Sequence, residues 1–255
     1  MKTGFCKFCG GQKPLIKAHI IPKQFFKIPT GKNQLIMVGA ENSYTKRCLE
    51  GVMDDGILCE DCDGGIGQYD QEAQRLLLSD LSTYKSVDKD FYEIPWSDFN
   101  YLKIKLFFIS LVWRASISSI PFCKGIKLGD KYENMALNIL KNPTLDSVDA
   151  FPLFIWKYKH VEQVPVEKII MEPSRFRLYG RNCCRFIFSG YHINIKTDKQ
   201  GLPPIFSWLY LNPNNPLIIL EVSPEKETTL FSQIDRINAE HFKKSDSLKK
   251  ERVHG

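Results

Sequence analysis

Two cysteine pairs near the start of the chain decide its fold there: Cys6-Lys7-Phe8-Cys9 and Cys59-Glu60-Asp61-Cys62. Each pair with this spacing forms a tight turn that aims two thiolates at one ion, and two such turns complete the tetrahedral shell of Zn²⁺. The sequence therefore predicts one structural zinc site, whose ligands are Cys6, Cys9, Cys59 and Cys62. The chain's other four cysteines lack the spacing: Cys48, Cys123, Cys183 and Cys184.

The residues around the two pairs indicate how the chain folds about the ion. Gly10-Gly11 follows the first pair and lets the backbone curl as a knuckle. The second pair is followed by apolar residues at helical spacing, so it opens a helix. A knuckle, then strands, then a helix that begins with ligands is typical of a treble clef. The pairs are further apart than the roughly 15–20 residues of a compact four-cysteine finger, which leaves room for His19 and a loop.

Composition favours a globular protein with its thiols reduced. The chain has 255 residues, 43% hydrophobic and 25% charged, and these ordinary values exclude wholesale disorder. Residues 1–30 are too polar for a signal peptide. The most apolar run, 106–123, is interrupted by Arg114 and Pro121, which favours a buried helix over a membrane span. We expect a cytoplasmic protein without a membrane partner, where paired cysteines favour a metal over a disulfide.

The net charge of +6 is concentrated near His19. Residues 1–47 hold nine Lys or Arg against one acidic residue. Such a rim suits a polyphosphate partner, because cations there exchange condensed counterions for phosphates. The alternative is a solvated lysine-rich surface. The residues predicted to contact nucleic acid are Lys17, Lys23, Lys46 and Arg47.

The periodicity of the remaining sequence predicts an α+β fold in two parts. Helical spacing covers 66–81, 99–118, 130–140 and 228–242, with a cap at Ser97-Asp98 for the second helix. Strand-like runs cover 16–21, 35–38, 151–158, 168–171, 176–179, 185–195, 206–211 and 217–222. Helices followed by strands indicate an antiparallel sheet region. The polar connection after residue 82 predicts a zinc-binding module over 1–82 and an α+β region over 83–255.

One stretch resembles a known family. Ala18-His19-Ile20-Ile21-Pro22, then Asp55-Gly56-Ile57-Leu58-Cys59 and Cys62-Asp63, is similar to HNH endonucleases, which often have A-H-I-x-P and then N-G-x-x-L-C-x-x-C-H. The resemblance covers roughly residues 5–72. Two positions depart from the family pattern: Asp55 stands where Asn is usual, and Asp63 where the last His is usual.

The resemblance implies a role for each matched residue. His19 would be the general base that takes a proton from the attacking water, and Asp55 would orient it. Asp63, joined by Asp70 further along the helix, would bind a catalytic Mg²⁺ or Mn²⁺. The alternatives are a core histidine or zinc ligand for His19, helix capping for Asp63 and turn formation for Asp54 and Asp55.

Three functions remain open at this point. The first is a metal-dependent nuclease that acts on DNA or RNA, with DNA as the expected partner. The second is a treble clef that binds nucleic acid or protein without cutting. The third is an interaction protein whose helix over 99–118 docks a larger partner. Compact HNH proteins with an unrelated second region resemble accessory effectors of bacterial anti-phage defence, which implies an ATPase-like partner.

A basic aromatic stretch in the second region is a further candidate surface. Its arginines are interleaved with aromatic residues: Arg175, Phe176, Arg177, Tyr179, Arg181, Arg185 and Phe186. Such a face can stack on nucleic-acid bases. The alternative is the solvent side of a half-exposed strand.

Overall fold

The computed structural model describes residues 2–26, 35–38, 46–48, 51–85, 90–143, 150–160 and 166–224. For 35–38 and 46–48 it describes the backbone alone. Within these ranges the protein is a mixed α+β fold with three α-helices, a large mixed sheet and two short strand pairs.

The elements follow the chain in this order. The strands of the N-terminal part are β1 (Lys2–Phe5), β2 (Gln12–Leu15), β3 (Ala18–His19), β4 (Leu35–Val38), β5 (Lys46–Cys48) and β6 (Met53–Asp54). The helices are α1 (Glu60–Leu77), α2 (Tyr101–Ile117) and α3 (Asp130–Lys141). The later strands are β7 (Phe91–Ile94), β8 (Leu153–Tyr158), β9 (Ile169–Leu178), β10 (Arg181–Phe188), β11 (Tyr191–Lys196) and β12 (Leu217–Val222).

The large sheet joins strands from both ends of the chain. Its order is β5-β4-β9-β10-β11-β8-β12-β7, while β1 pairs with β2 and β3 pairs with β6 separately. Most neighbours are antiparallel, but β12 runs parallel to β8 and β4 parallel to β9. The sheet is therefore mixed, whereas the sequence predicted an antiparallel one.

Helix α2 lies at the centre of the core. Phe107 on α2 contacts Phe25 at 6.0 Å between ring centroids, and Phe25 contacts Phe188 of β10 at 5.0 Å. One continuous cluster of buried side chains extends from Cys6 through the helices to Ile219 of β12. Because α2 is buried along nearly its whole length, it does not offer the docking surface that the third functional alternative requires.

Three of the four predicted helices are present, with shifted ends. Helix α1 begins directly after Cys59, six residues before the predicted start, and ends at Leu77 rather than at 81. Helix α2 is capped by Asn100, whose side chain accepts a hydrogen bond from the Lys103 N–H at 3.0 Å, and not by Ser97-Asp98. The predicted helix over 228–242 lies outside the described residues.

Five predicted strands differ from the structure. The run 185–195 is two strands, β10 and β11, since Ser189 and Gly190 have positive φ angles of 51° and 77° and form a turn. Residues 206–211 form no strand; a 3₁₀ turn over Pro204–Phe206 occupies the start of that stretch. The run 16–21 contains only the two residues of β3, and 168–171 with 176–179 merge into β9.

The predicted division at residue 82 stays a prediction. Strands β4 and β5 come from the first part and extend the sheet of the second, and Phe8 packs against Trp113 at 5.9 Å. Both parts thus contribute to one sheet and one core. None of the described helices is long and apolar enough to cross a membrane.

Candidate metal centre and neighbouring histidine site

The four predicted zinc ligands come together in the structure. The Sγ atoms of Cys6, Cys9, Cys59 and Cys62 all lie within 4.8 Å of one another. Four thiols are the donor set of a structural zinc site, and this cluster could bind a zinc ion. Cys6 and Cys59 are buried, Cys62 is half-buried and Cys9 is exposed.

Backbone hydrogen bonds shape the turn that carries the first pair. The Gly10 N–H donates to the Cys6 carbonyl at 2.8 Å, and Gly10 has a φ of 77°, which glycine adopts without strain. The Lys7 N–H donates to the Ile57 carbonyl at 2.8 Å, which ties this turn to the segment before the second pair. Cys59 is the residue at the N-terminal cap of α1, so the helix start and the turn are fixed to each other.

The pKa values of two cluster thiols, Cys6 and Cys62, are shifted in opposite directions. Burial raises the pKa of Cys6, but the N–H groups of Cys9, Cys59 and Phe8 outweigh it and bring the pKa to about 7. Burial and the neighbouring thiols raise the pKa of Cys62 well above its ordinary value. The cluster thus carries negative charge near neutral pH, and a bound cation would release the remaining protons.

His19 ends the short strand β3. Opposite residues in an antiparallel pair project from the same face of the sheet, so His19 shares a face with Met53, and Ala18 shares the other face with Asp54. The imidazole is half-buried, and its Nε2 atom is buried with no hydrogen-bond partner among the described residues. A buried polar atom without a partner is costly, and such atoms often mark a place where a ligand binds.

Asp63 and Asp70 lie two turns apart on α1. Asp70 accepts two hydrogen bonds from Arg114 of α2, at 2.8 Å from Nη2 and 3.1 Å from Nη1. Asp63 has no such partner in the described part of the chain. Burial raises the pKa of Asp63; the Arg114 guanidinium opposes the rise, Asp70 adds to it and His19 opposes it.

The aspartate that is buried beside β3 is Asp54 and not Asp55. Asp54 accepts hydrogen bonds from the Gly56 N–H at 2.8 Å, the Ser118 hydroxyl at 2.6 Å and the Ser119 N–H at 3.2 Å. Asp55 is exposed in the turn that follows, and no hydrogen bond joins it to His19 in the described structure. An orienting role for Asp55 stays a prediction.

The predicted basic contacts are only partly described. Lys17 and Lys23 are exposed beside β3, whereas Lys46 and Arg47 lie in β5, where the backbone alone is described. In the second region, Arg175 donates to the Lys127 carbonyl at 3.1 Å, and Arg181 donates to the Gly201 and Tyr179 carbonyls.

The basic aromatic stretch has four arginines, and the remaining two, Arg177 and Arg185, do not donate to these carbonyls. The Arg185 guanidinium lies 5.7 Å from the centre of the Phe176 ring, and Arg177 is exposed. Backbone carbonyls or a ring therefore already hold three of the four arginines, which favours the solvent-side alternative for this stretch.

Sequence analysis missed the contact of Arg114 with the site and the burial of Asp54. A charged residue inside an apolar helix must find a buried partner, and that was the available signal for Arg114. For Asp54 the signal was spacing, since the pattern N-G-x-x-L-C counted back from Cys59 begins at Asp54.

The described residues form no second metal-binding group. In the described part of the chain, the four cysteines are the only group of three or more His, Cys, Asp or Glu ligand atoms close enough to hold an ion. His19, Asp63 and Asp70 do not form such a group, and Asp70 is paired with Arg114.

Comparison with known proteins adds no family. No family model, curated protein or solved structure matches the chain.

Proposed function

We propose that the N-terminal region is an HNH-like treble-clef module that hydrolyses phosphodiester bonds in nucleic acid, with DNA as the first substrate to test. The proposal is supported by the order of its parts: a strand that ends in His19, its partner strand β6, and then α1, all beside the four-cysteine cluster. The observation that carries it is the buried Nε2 atom of His19, which has no partner in the described structure; the carboxyl of Asp63 is also without a partner there, and burial raises its pKa while the charge of His19 opposes the rise.

His19 supplies the proton acceptor. A neutral imidazole with a free ring nitrogen accepts a proton from water and makes that water a nucleophile toward phosphorus. The exposed Lys17 and Lys23 flank the strand and would contact neighbouring phosphates.

The carboxylate of Asp63 fits a catalytic Mg²⁺ only if oxygens of the substrate and water complete the coordination shell of the ion. Mg²⁺ is commonly held by one or two carboxylates together with substrate phosphates and water, not by a cage of protein ligands. Asp63 would hold it here, and Asp70 would not, because Arg114 occupies its carboxylate. When bound, such an ion would stabilise charge on the scissile phosphate and the leaving oxygen.

One observation favours a second function, binding without cleavage. The Arg114–Asp70 ion pair removes a carboxylate that the resemblance assigned to the catalytic metal. A module with Asp63 alone would still hold nucleic acid through its basic surface. Partnership with an ATPase and a role in anti-phage defence remain proposals that rest on analogy.

The test is cleavage of plasmid DNA and of RNA with Mg²⁺ or Mn²⁺. We expect His19→Ala to lower the rate ~10²–10⁴-fold, the usual contribution of a general base, with zinc content and melting temperature nearly unchanged. Asp63→Ala should also lose activity and regain part of it at high Mn²⁺. The matched control is His160→Ala, because His160 is exposed and far along the chain.

Three outcomes separate the two functions. Loss of cleavage in His19→Ala with binding retained supports the nuclease. Wild-type protein that binds nucleic acid but does not cut it under any of these conditions supports the binding module. Cleavage by His19→Ala at the wild-type rate contradicts the assignment of His19 as the base.

A further inference from the structure

The guanidinium of Arg114 is fully saturated with hydrogen bonds inside the core. Arg114 is 1% exposed. Its Nε atom donates to the Ser110 carbonyl at 3.4 Å. Its Nη1 atom donates to the His19 carbonyl at 2.7 Å and to Asp70 at 3.1 Å. Its Nη2 atom donates to Asp70 at 2.8 Å and to the Ser110 hydroxyl at 3.2 Å. These five bonds use all five N–H donors of an arginine.

These bonds join three elements at the candidate site. Ser110 and Arg114 belong to α2, Asp70 to α1 and His19 to β3. Strand β3 is only two residues long, and after it the next backbone bond is from the Ile20 N–H to the Val52 carbonyl at 2.8 Å. A two-residue strand pair does little to fix its end, so the bond from Arg114 to the carbonyl of His19 adds a side-chain restraint to the two backbone contacts with β6 and Val52.

We propose that Arg114 is a positioning residue of the candidate site, which holds the backbone of His19 against α1 and occupies Asp70 so that Asp63 is the carboxylate left for a phosphate-bound ion. The purpose assigned to this arrangement rests on the proposed function, but the positioning can be measured without it. The alternative is that Arg114 only packs the two parts of the chain together.

A second buried contact provides the matched control. The Ser118 hydroxyl at the end of α2 donates to Asp54 of β6 at 2.6 Å. This contact also joins α2 to the β3–β6 pair, and Ser118 is 1% exposed. It lies on the Ala18 face of the pair and not on the His19 face. Ser118→Ala therefore removes a comparable contact that does not touch His19 or Asp70.

The test compares Arg114→Lys with Ser118→Ala in the full chain. Lysine keeps the charge but has three donors and no planar fork, so it cannot hold the His19 carbonyl and both Asp70 oxygens together. We expect Arg114→Lys to keep its zinc and to lower kcat about 100-fold, the cost of a misplaced catalytic group, with KM little changed. Ser118→Ala should keep the wild-type kcat.

A second readout does not depend on cleavage. In side-chain NMR spectra of the five histidines, the chemical shifts of the His19 imidazole should change in Arg114→Lys and stay as in wild type in Ser118→Ala. If Arg114→Lys does not fold, Asp70→Asn is compared in the same way, since it also disrupts the paired hydrogen bonds between Arg114 and the Asp70 carboxylate.

The outcomes are distinct. Unchanged His19 signals in Arg114→Lys, or an equal loss of kcat in Ser118→Ala, would overturn the positioning role. A wild-type protein without nuclease activity would contradict the proposed function, while the NMR comparison would still decide the role of Arg114.

Discussion

At the scale of single residues, two aspartates on one face of α1 have opposite relations to stability. Asp70 forms a two-bond ion pair with a buried arginine. Asp63 is partly buried without a partner in the described structure, and burial raises its pKa. A carboxyl whose pKa is raised by folding stabilises the protein in acid, and this contribution is lost as the pH rises through the folded-state pKa. At neutral pH the ionised Asp63 therefore opposes folding.

We predict opposite shifts in melting temperature for two matched variants. Asp63→Asn should raise the melting temperature at pH 7, because an amide carries no charge to desolvate, and the gain over wild type should shrink as the pH falls. Asp70→Asn should lower stability by about 3 kcal/mol, because it leaves a buried arginine without its counter-charge. Thermal unfolding of both variants beside wild type checks this. Equal shifts of the same sign would contradict it.

The place of a single residue in the site was predictable where a reactive side chain also lies in a short sequence motif of fixed spacing. The cysteine ligands follow from their duplicated spacing, and His19 follows from its motif. Arg114 and Ser118 could not be placed in the same way, because their partners lie 95 and 64 residues away in the chain and only packing brings them together.

At the scale of elements, the four-cysteine cluster fixes the start of α1 to the β1–β2 hairpin. Leu15 forms a bridge with Cys59, and the Ile16 N–H donates to the Leu58 carbonyl at 3.0 Å.

We predict about one zinc per chain and loss of this zinc in Cys59→Ser. In that variant the hairpin and the first turn of α1 should lose hydrogen-exchange protection. The control is Cys123→Ala, which changes a buried cysteine outside the cluster and should keep the zinc. Zinc-free protein with normal protection would contradict the prediction.

Elements were predictable from periodicity where one face is buried. Helices α1 and α3 show a clear apolar stripe and were both predicted; α3 was placed to within one residue, whereas both ends of α1 differ from the prediction. The turn at Ser189-Gly190 was missed because β10 and β11 are buried on both faces, so the apolar run gives no alternation that would mark a break. Strand β9 was predicted as two runs on either side of Pro173, because proline cannot donate to a strand ladder; in the structure Pro173 lies at a register shift between β9 and β10.

At the scale of the whole molecule, the shared core predicts one unfolding transition. All four tryptophans, Trp96, Trp113, Trp156 and Trp208, lie after residue 82, whereas the zinc ligands lie before it. Because one cluster of buried side chains includes both parts, tryptophan fluorescence and release of zinc to a colorimetric chelator should change at the same temperature. Zinc release well below the fluorescence transition would show that 1–82 unfolds alone and would support the predicted division.

The pairing of β4 with β9 has a consequence for how the protein is made. Ile36 pairs with Ile169, and ribosomes add the residues between them in roughly 7–27 s at ordinary rates. Both zinc ligand pairs are present early in that interval, once Cys62 has been added, while the strand that must receive β4 does not yet exist. The metal cluster can therefore form on the nascent chain before β4 has a sheet to join, whereas the core that extends to Ile219 can be completed only after β12 has been translated.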